Sequence, residues 1–493
     1  MNNNSLHCHL LNVRHTAKKI TGKITGMVLI SAMLLSFNAT SSLLLAGSSD
    51  DSHGKMQMRT SRISDESVPN LNVENFIQRP KPLLELGNTF LGTGDIAPGI
   101  DLPGGAVWQP SLLIYGVYRT AFQTFHDGDT TRSEWTNRLD IFGNLQLTGS
   151  ERVHVSLRPL EENNSFSGYN FDSNHQDGSG PTETFNAKVR TLFFEGDLGE
   201  LFPNADPNDV RSLDLGFSVG RQPLFYQDGM LINDIVDAVG ITRNTLLPKG
   251  GADLQATFIY GWNELHRANN IENNNADVNL YGLFFAADYP KSTIHLDLVY
   301  VDDTDLNTDG FYWATSSVQR IGHYNTTFRV MGSHALDVES AAVRDGVLLF
   351  SEVSWTPAWS DNIVYINAYW GIDQFSSVAR DPSAGGPLGR VGVLFDSVGI
   401  GRYDAPLSNR ANDSFGAALG YQMFLGDGFH EQLVLEVGGR QSTTQDSDGF
   451  YAIGARYQKA LDQHWVLQLD AFASLQESRD EGYGSRIELR YQF

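Results

Sequence analysis

The 493-residue sequence has few of the features that mark disulfide scaffolds, helical membrane proteins or common enzymes. Its one cysteine, Cys8, lies in a basic leader, so disulfide frameworks, thiol catalysis, cysteine zinc sites and covalently attached haem are excluded from the rest of the chain. Beyond the leader, no run approaches the roughly 18 apolar residues of a transmembrane helix. The thirteen histidines show no metal-binding spacing and the Gly-x-Ser segments no nucleophile context. We therefore expect no metal, no cofactor and no enzymatic activity.

Positive charge is also scarce, with 35 Lys and Arg against 58 Asp and Glu and a net charge of −23. The first 46 residues hold four basic residues and no acid, so the remainder carries 31 − 58 = −27, which argues against nucleic acid as a partner. Arg14, Lys18 and Lys19 precede an apolar run from Met27 to Leu35. This order predicts a secretory signal peptide over residues 1–46, with an uncleaved membrane anchor as the alternative.

What the sequence has instead is a strict alternation of apolar and polar residues. Near its end, Ile487 and Leu489 alternate with Arg486 and Glu488. A strand with this period has one apolar and one charged face, which suits a wall between lipid and water. An aromatic such as Phe493 at this position is typical of the closing strand of a Gram-negative outer-membrane β-barrel, where it signals to the barrel-assembly machinery.

Similar segments recur from Ser111 onward and predict an all-β fold, a transmembrane antiparallel β-barrel of about 18 strands (16–18) over residues 111–493, closed by the C-terminal strand. Strands are expected to begin at about residues 111, 134, 186, 211, 324 and 431, among others, with long outer loops at about 120–134 and 373–412. The connections alternate between long and short, which predicts that both termini are periplasmic. Residues 47–110 are predicted to be a flexible periplasmic segment. A soluble β-sandwich or propeller is the alternative, but no blade repeat is present.

Strand parity assigns a set of basic residues to the lumen of this barrel. Half of the set lies in strands two to four and four more in strands fifteen to eighteen, so closure would merge them into one basic wall across the seam. The set comprises Arg138, Arg152, Arg158, Lys188, Arg190, Arg329, Arg440, Arg456, Arg486 and Arg490. Such a wall would attract anions, and guanidinium groups bind carboxylates through two donors. The alternative is that these residues pair with lumenal acids such as Asp140 and only stiffen the pore.

The segment from Val219 to Arg243 resembles the outer-membrane alginate export porins. In that family a Gly-Arg-Gln ends one strand, a loop folds inward, and an Asp-x-x-Asp run opens the next strand; Gly220-Arg221-Gln222 and Asp234 with Asp237 match this order. The resemblance implies an 18-stranded barrel with an arginine-rich pore for an anionic polyuronate. It carries over Arg221, Asp234, Asp237 and Arg243 as pore residues. Simple parity points Arg221 at lipid, so we expect Gly220 to mark a bulge or the outer end of its strand.

Together these features predict an outer-membrane channel, or porin, for passive, substrate-biased passage of anionic solutes such as acidic saccharides. The expected partners are membrane lipid and lipopolysaccharide, the solute, and the barrel-assembly machinery, with no nucleic acid. The alternative is a structural or binding barrel that sheaths or docks a partner protein in secretion or electron transfer.

Overall fold

A computed structural model describes residues 79–87, 99–172, 179–205, 213–267, 278–303, 307–426, 430–444 and 449–493. The predicted signal peptide, residues 1–46, and most of the predicted 47–110 segment lie outside these residues. Within the described ranges, the helices are all too short to cross a membrane.

Across the described residues, eighteen long strands pair in chain order, each antiparallel to the next. The strands are β1 (Ser111–His126), β2 (Thr131–Gln146), β3 (Arg152–Leu157, resumed at Ser165–Asn170), β4 (Val189–Asp197), β5 (Leu215–Tyr226), β6 (Ile232–Leu246), β7 (Asp253–Asn263), β8 (Asn279–Tyr289), β9 (Ser292–Asp302), β10 (Gly310–Ile321), β11 (Tyr324–Ala335), β12 (Gly346–Trp355), β13 (Ile363–Asp373), β14 (Ser414–Leu425), β15 (Glu431–Ser442), β16 (Gly449–Ala460), β17 (Trp465–Gln476) and β18 (Gly482–Gln492). β18 pairs with β1, which closes the sheet into a barrel.

Shorter elements occupy the connections and the segment before β1. They are the strands Leu84–Leu86, Ile100–Asp101, Val107–Trp108, Glu161–Glu162, Gly180–Thr182 and Ala379–Arg380, the helix α1 (Leu198–Leu201), and the 3-10 turns Pro203–Ala205, Gln227–Gly229 and Pro382–Ala384. Leu84–Leu86 pairs with β1 on the stretch that β18 leaves free. The edge of β1 at which the barrel closes is therefore paired near both of its ends, by β18 and by Leu84–Leu86.

The predicted barrel is confirmed, and most strand positions agree. β1, β11 and β15 begin at the expected residues 111, 324 and 431, whereas β2, β4 and β5 begin at 131, 189 and 215. The long loop expected at 120–134 is wrong, because β1 and β2 each run for 16 residues and only 127–130 connect them. Asp127 closes this turn by accepting hydrogen bonds from the backbone N–H of Thr130 at 2.8 Å and of Asp129 at 3.0 Å.

The alternation places apolar side chains on the outside of the barrel and polar ones inside. Ile453 and Ile487 point outward and are 60% and 54% exposed, whereas Arg486, next to Ile487, is 1% exposed. In a protein that folds in water these exposures would be reversed, because the hydrophobic effect buries the apolar face. The exterior therefore suits contact with hydrocarbon.

Two segments fold into the lumen and fill part of it. The first, which we call the hairpin tip, comprises residues 222–236 of β5, β6 and their turn; these strand residues pair with each other but with neither β4 nor β7. The second, the inner loop, is the 374–413 connection between β13 and β14. The two segments join where Ile232 and Asn233 pair with Ala379 and Arg380 in parallel.

Both segments are held by apolar packing, mainly against the inner faces of β7 to β13, and Leu394 of the inner loop also lies against Gly454 of β16. Leu231 and Ile232 of the hairpin tip and Leu394 and Phe395 of the inner loop are essentially inaccessible to solvent. The inner loop was expected to be a polar outer loop; its apolar residues instead draw it into the barrel, where they leave water. We call this side of the lumen the apolar half, and the opposite side, formed by β14 to β18 and β1 to β4, the charged half.

Candidate functional site

The charged half carries a row of arginines on the three strands that meet at the seam. Arg490 of β18 lies opposite Arg119 of β1, and Arg119 lies opposite Arg138 of β2. Arg119 was missed by the sequence reasoning, because the connection expected at 120–134 cut the first strand short and left its inner face unassigned. All three side chains lie at inward positions of the barrel. We call Arg490, Arg119 and Arg138 the arginine row.

Carboxylates beside the row hold these guanidinium groups in place. Glu488 accepts from Arg119 Nε at 2.7 Å and Nη2 at 3.0 Å, and from Arg490 Nε at 2.5 Å. Asp140 accepts from Arg138 Nε at 2.7 Å and from Arg158 Nε at 2.7 Å. Two-donor contacts of this kind fix the plane of a guanidinium group as well as its position.

A second layer of ion pairs lies beside the row and is more deeply buried. Asp470 accepts from Arg456 Nε at 2.6 Å and from Arg486 Nη1 at 2.8 Å, and Arg486 also contacts Glu488. Arg486 and Glu488 expose essentially none of their side chains. Arg456 and Arg486 therefore pair with lumenal acids, since buried charges of this kind need partners.

Glutamines extend the polar surface from this wall across β14 to β17. Gln422 donates to Gln432 at 2.7 Å, Gln432 donates to Gln458, and Gln458 donates to Gln468 at 2.6 Å. Gln468 also accepts from Arg490 Nη2 at 2.6 Å, so the amides and the arginine row form one connected surface. Each carboxamide has a further donor and acceptor capacity that suits hydroxyl groups.

The inner loop crosses the arginine row. Arg119 Nη2 donates to the carbonyl oxygen of Val398 at 2.9 Å, and Arg138 Nη1 donates to that of Gly399 at 2.7 Å. Farther along the loop, Asp381 pairs with Arg190. Burial alone would raise the pKa of Asp381, but the charges of Arg190 and Arg158 and hydrogen bonds from Ser383 hold this pKa well below its usual range. Asp381 is therefore ionised in the folded protein at neutral pH.

Arg329 and Arg440, both predicted pore residues, anchor the segments that fill the lumen. Arg329 of β11 contacts Asp228 in the hairpin tip, and its guanidinium carbon lies 5.6 Å from the centre of the Phe350 ring. Arg440 of β15 donates to the carbonyl oxygen of Leu407 in the inner loop at 3.2 Å. Both point into the barrel as expected, but they lie outside the arginine row.

Two other predicted residues lie away from the wall. Arg152 lies at the end of the barrel with the short turns, is 41% exposed and pairs with Glu195. Lys188 precedes β4, is 72% exposed, and its Nζ lies 3.9 Å from a carboxylate oxygen of Glu162. β4 begins three residues later than expected, which leaves Lys188 on the opposite rim rather than on a strand.

Arg221 and Asp237 form a pair at the point where the hairpin tip leaves the wall. Arg221 donates to Asp237 from Nε at 2.8 Å and from Nη2 at 3.0 Å, and Nη2 lies 3.1 Å from Glu264. The register of β4 and β5 continues through Gly220, so the expected bulge is absent and both side chains keep outward parity. Gly220 has a φ of +123°, and a Cβ there would collide with the Leu192 carbonyl, which explains the glycine.

Asp234 and Arg243, also taken from the family resemblance, do not line an open passage. Asp234 is fully buried and accepts from the backbone N–H of His266 and from its Nδ1, both at 2.8 Å. Arg243 lies on the outward face of β6 near the short turns and donates to the Asp214 carbonyl at 2.9 Å. These residues therefore stabilise the hairpin and the barrel rim.

Two cavities lie on either side of the layer formed by the hairpin tip and the inner loop. A cavity of about 950 Å³ opens toward the short turns and is lined by Asp297 and Arg329 among others. A cavity of about 720 Å³ lies toward the long loops, with Gly399, Gly401 and Tyr403 in its lining. Within the described ranges, no group of three or more His, Cys, Asp or Glu side chains could hold a metal ion.

No protein-family model matches the chain, and no curated protein is significantly similar to it. Solved structures from Pseudomonas aeruginosa are similar in fold. OccK1 (OpdK) has a TM-score of 0.53 at 11% identity, and OpdK with vanillate a TM-score of 0.52 at 11% identity; each match covers 78% of this chain and 98% of that one. OccK2 (OpdF) in complex with glucuronate has a TM-score of 0.50 at 9% identity, with the same coverage. The similarity supports a porin-type barrel, whereas membership of the alginate export family is not confirmed.

Proposed function

We propose that the protein is an outer-membrane channel for passive, substrate-biased passage of small organic anions such as acidic saccharides. The observation that carries this proposal is the arginine row on the inner face of a barrel whose exterior is apolar. Arg490 is 29% exposed, and Arg119 and Arg138 are also partly accessible, so the row presents positive charge to the lumen. In a narrow, low-dielectric passage such charge raises the local concentration of anions.

The bias toward anions is expected to be moderate because carboxylates offset much of the charge. Arg119 and Arg490 share Glu488 with Arg486, and Arg138 shares Asp140 with Arg158, so each carboxylate offsets part of the charge of several guanidinium groups. Weak attraction suits a channel, since a solute that bound tightly would not leave. The structural neighbours support this solute class, because vanillate and glucuronate, named with OpdK and OccK2, are both carboxylates.

A small anion is favoured over a polymeric polyuronate such as alginate. The hairpin tip and the inner loop fill the apolar half of the lumen, so a solute would have to pass along the charged half. The same filling argues against a barrel that sheaths a partner protein, because such a sheath needs a wide lumen. Co-purification of a stoichiometric partner would favour the sheath instead.

This function implies a defined placement in the membrane. Lipid and lipopolysaccharide would contact the apolar exterior, the short turns and both termini would face the periplasm, and residues 1–46 would direct export. Phe493 is the candidate contact for the barrel-assembly machinery. In the folded chain its backbone exchanges hydrogen bonds of 2.7 and 3.0 Å with Gly116, so the same residue also secures the seam.

Planar-bilayer recordings test the proposal. Under a potassium chloride gradient, the reversal potential should show anion preference, and Arg119→Gln with Arg138→Gln should reduce it. Arg320→Gln is the matched control, because Arg320 lies at an exposed turn and donates to the Gly322 carbonyl rather than into the lumen. Cation preference in the unmodified protein, or no conductance, would overturn the proposal.

A further inference from the structure

One part of the inner loop, Asp396 to Arg402, lies directly on the arginine row; we call it the strap. Three successive carbonyl oxygens of the strap accept hydrogen bonds from the wall: Val398 from Arg119, Gly399 from Arg138, and Ile400 from Gln123 at 3.3 Å. Donors that could bind a solute anion are therefore occupied by the chain's own backbone.

The sequence of the strap allows this close approach. Gly399 and Gly401 have φ values of +65° and +64°, a backbone region that side chains with a Cβ rarely adopt. A Cβ on Gly401 would also collide with the Glu134 carboxylate and the Gln123 amide. The strap can lie against the wall only because these positions are glycine.

Ion pairs hold both ends of the strap. At one end, Asp396 lies 2.9 Å from Arg456 Nη1. At the other, Arg402 Nε lies 3.0 Å from Glu134, and Nη2 lies 2.7 Å from Asp172. Between these ends only neutral carbonyl groups face the row. The strap is thus held by ion pairs at its ends and by hydrogen bonds to neutral carbonyl groups in its middle.

The chemistry of the contact makes it replaceable. A carboxylate that met Arg119 and Arg138 would present a full negative charge where the strap presents carbonyl dipoles, and a guanidinium binds an ionised acceptor more strongly than a neutral one. Two guanidinium groups in register on adjacent strands suit the two oxygens of one carboxylate. A chloride ion or a neutral sugar lacks this pair of oxygens.

We propose that the strap is a resident competitor: its carbonyls occupy a carboxylate-binding site made by Arg119, Arg138 and Gln123, and a solute carboxylate displaces them. The inference rests on the proposed channel function and adds a binding site and the means by which that site is kept filled. In the absence of solute the strap narrows the passage along the charged half. A carboxylate both releases the strap and takes its place.

Weakening both ends of the strap tests the inference. The double variant Asp396→Asn and Arg402→Gln should raise single-channel conductance by at least about twofold and should raise the apparent affinity for glucuronate, because a competitor no longer holds the site. The control is Asp404→Asn with Arg132→Gln, which removes a more exposed ion pair of the inner loop just outside the strap. Gly401→Ala is an independent variant that displaces the strap by collision with Glu134 and Gln123 and leaves the Asp396–Arg456 ion pair intact.

Cysteine labelling measures the displacement directly. Ile400→Cys, in a chain whose Cys8 is replaced by serine, introduces a thiol at a buried strap position. Its rate of reaction with a small methanethiosulfonate reagent should increase severalfold with glucuronate and stay constant with glucose. An equal rate in both sugars overturns the inference.

The two proposals fail differently in these experiments. If the protein conducts anions selectively while the double variant and Gly401→Ala both keep the original conductance, the strap is structural and the channel proposal stands. If the unmodified protein shows no anion preference, the channel proposal fails, and the inference about the strap, which rests on it, fails with it. A conductance increase in the double variant that the Asp404→Asn and Arg132→Gln control also shows would likewise overturn the role of the strap.

Discussion

The two halves of the lumen both contain fully buried side chains, but these are apolar in one half and charged in the other. In the apolar half, Leu231 of the hairpin tip and Leu348 of β12 lose their contact with water by packing within one apolar cluster. In the charged half, Arg486 and Glu488 are as inaccessible as those leucines, but they lie within a continuous set of ion pairs. Apolar burial is favourable in itself, whereas charge burial needs partners that compensate for lost hydration. The first half therefore closes the lumen, and the second leaves polar groups that a solute can use.

The largest effect is expected from removing the shared carboxylate of the charged half. Glu488→Gln would leave Arg119, Arg486 and Arg490 without their common partner and should lower the free energy of unfolding by about 3–5 kcal/mol. The same change should increase anion preference, because the wall gains one net positive charge. Urea unfolding in lipid vesicles and reversal potentials measure the two effects.

The control for this variant is Glu431→Gln, whose carboxylate pairs with Lys459 on the exposed outward face. It should change neither quantity measurably. If Glu488→Gln behaved like this control, the charged half would not depend on its ion pairs, and the comparison between the halves would break.

A smaller loss is expected from a cavity in the apolar half. Leu231→Ala removes a fully buried side chain from the contact of the hairpin tip and should cost about 3 kcal/mol. Because this packing contributes to holding the tip but carries no charge, we also expect noisier single-channel currents with unchanged ion preference. A shift in reversal potential would contradict the separation of roles between the halves.

The pH dependence at the edge of the apolar half should be smaller again. Burial alone would lower the pKa of His266, but the hydrogen bond and charge of Asp234, with Asp381 and Glu264 nearby, raise this pKa above its usual value. The raised pKa means that the protonated form stabilises the fold below about pH 6.5, and this contribution is lost as pH rises through the folded-state pKa. Unfolding midpoints should therefore fall with rising pH in the unmodified protein. His266→Gln should remove that component of the slope.

The smallest effect is expected from the exposed pair Arg152 and Glu195. Arg152→Gln should change stability by less than about 1 kcal/mol, because solvent screens ion pairs that remain exposed. Urea unfolding beside Glu488→Gln would give the contrast directly. A loss as large as that of Glu488→Gln would mean that burial does not set the strength of ion pairs in this barrel.

The barrel could be predicted because one face of each strand contacts lipid and the other contacts water. Apolar and polar residues therefore alternate along the sequence with a period of two. The same parity put Arg138, Arg456, Arg486 and Arg490 on the inner face. Arg119 was missed because a long loop was expected where Asp127-Gly128, with Gly128 at a φ of +92°, forms a tight turn. The alternation of inward and outward side chains can be assigned only to residues that are known to lie within a strand.

The inner loop could not be located from sequence, because its direction depends on distant contacts. Its apolar residues are spaced without a period, and nothing local indicates that Leu394 packs inside the barrel. Nor could the position of Gly399 on the arginine row be predicted, since the hydrogen bond joins residues 261 positions apart. Arg221 illustrates the same limit. Simple strand parity points its side chain outward, as observed, but its ion pairs with Asp237 and Glu264 depend on where the hairpin tip leaves the wall.

The layer between the two cavities also decides where a transmembrane voltage acts. Wide electrolyte-filled spaces conduct well, so an applied potential falls mainly across the thin stretch that separates them, where the strap and Arg119 lie. Moving one elementary charge through a drop of 100 mV corresponds to about 2.3 kcal/mol. Asp396 and Arg402 carry opposite charges at the two ends of the strap, so an electric field of either polarity exerts a torque on it rather than a net pull.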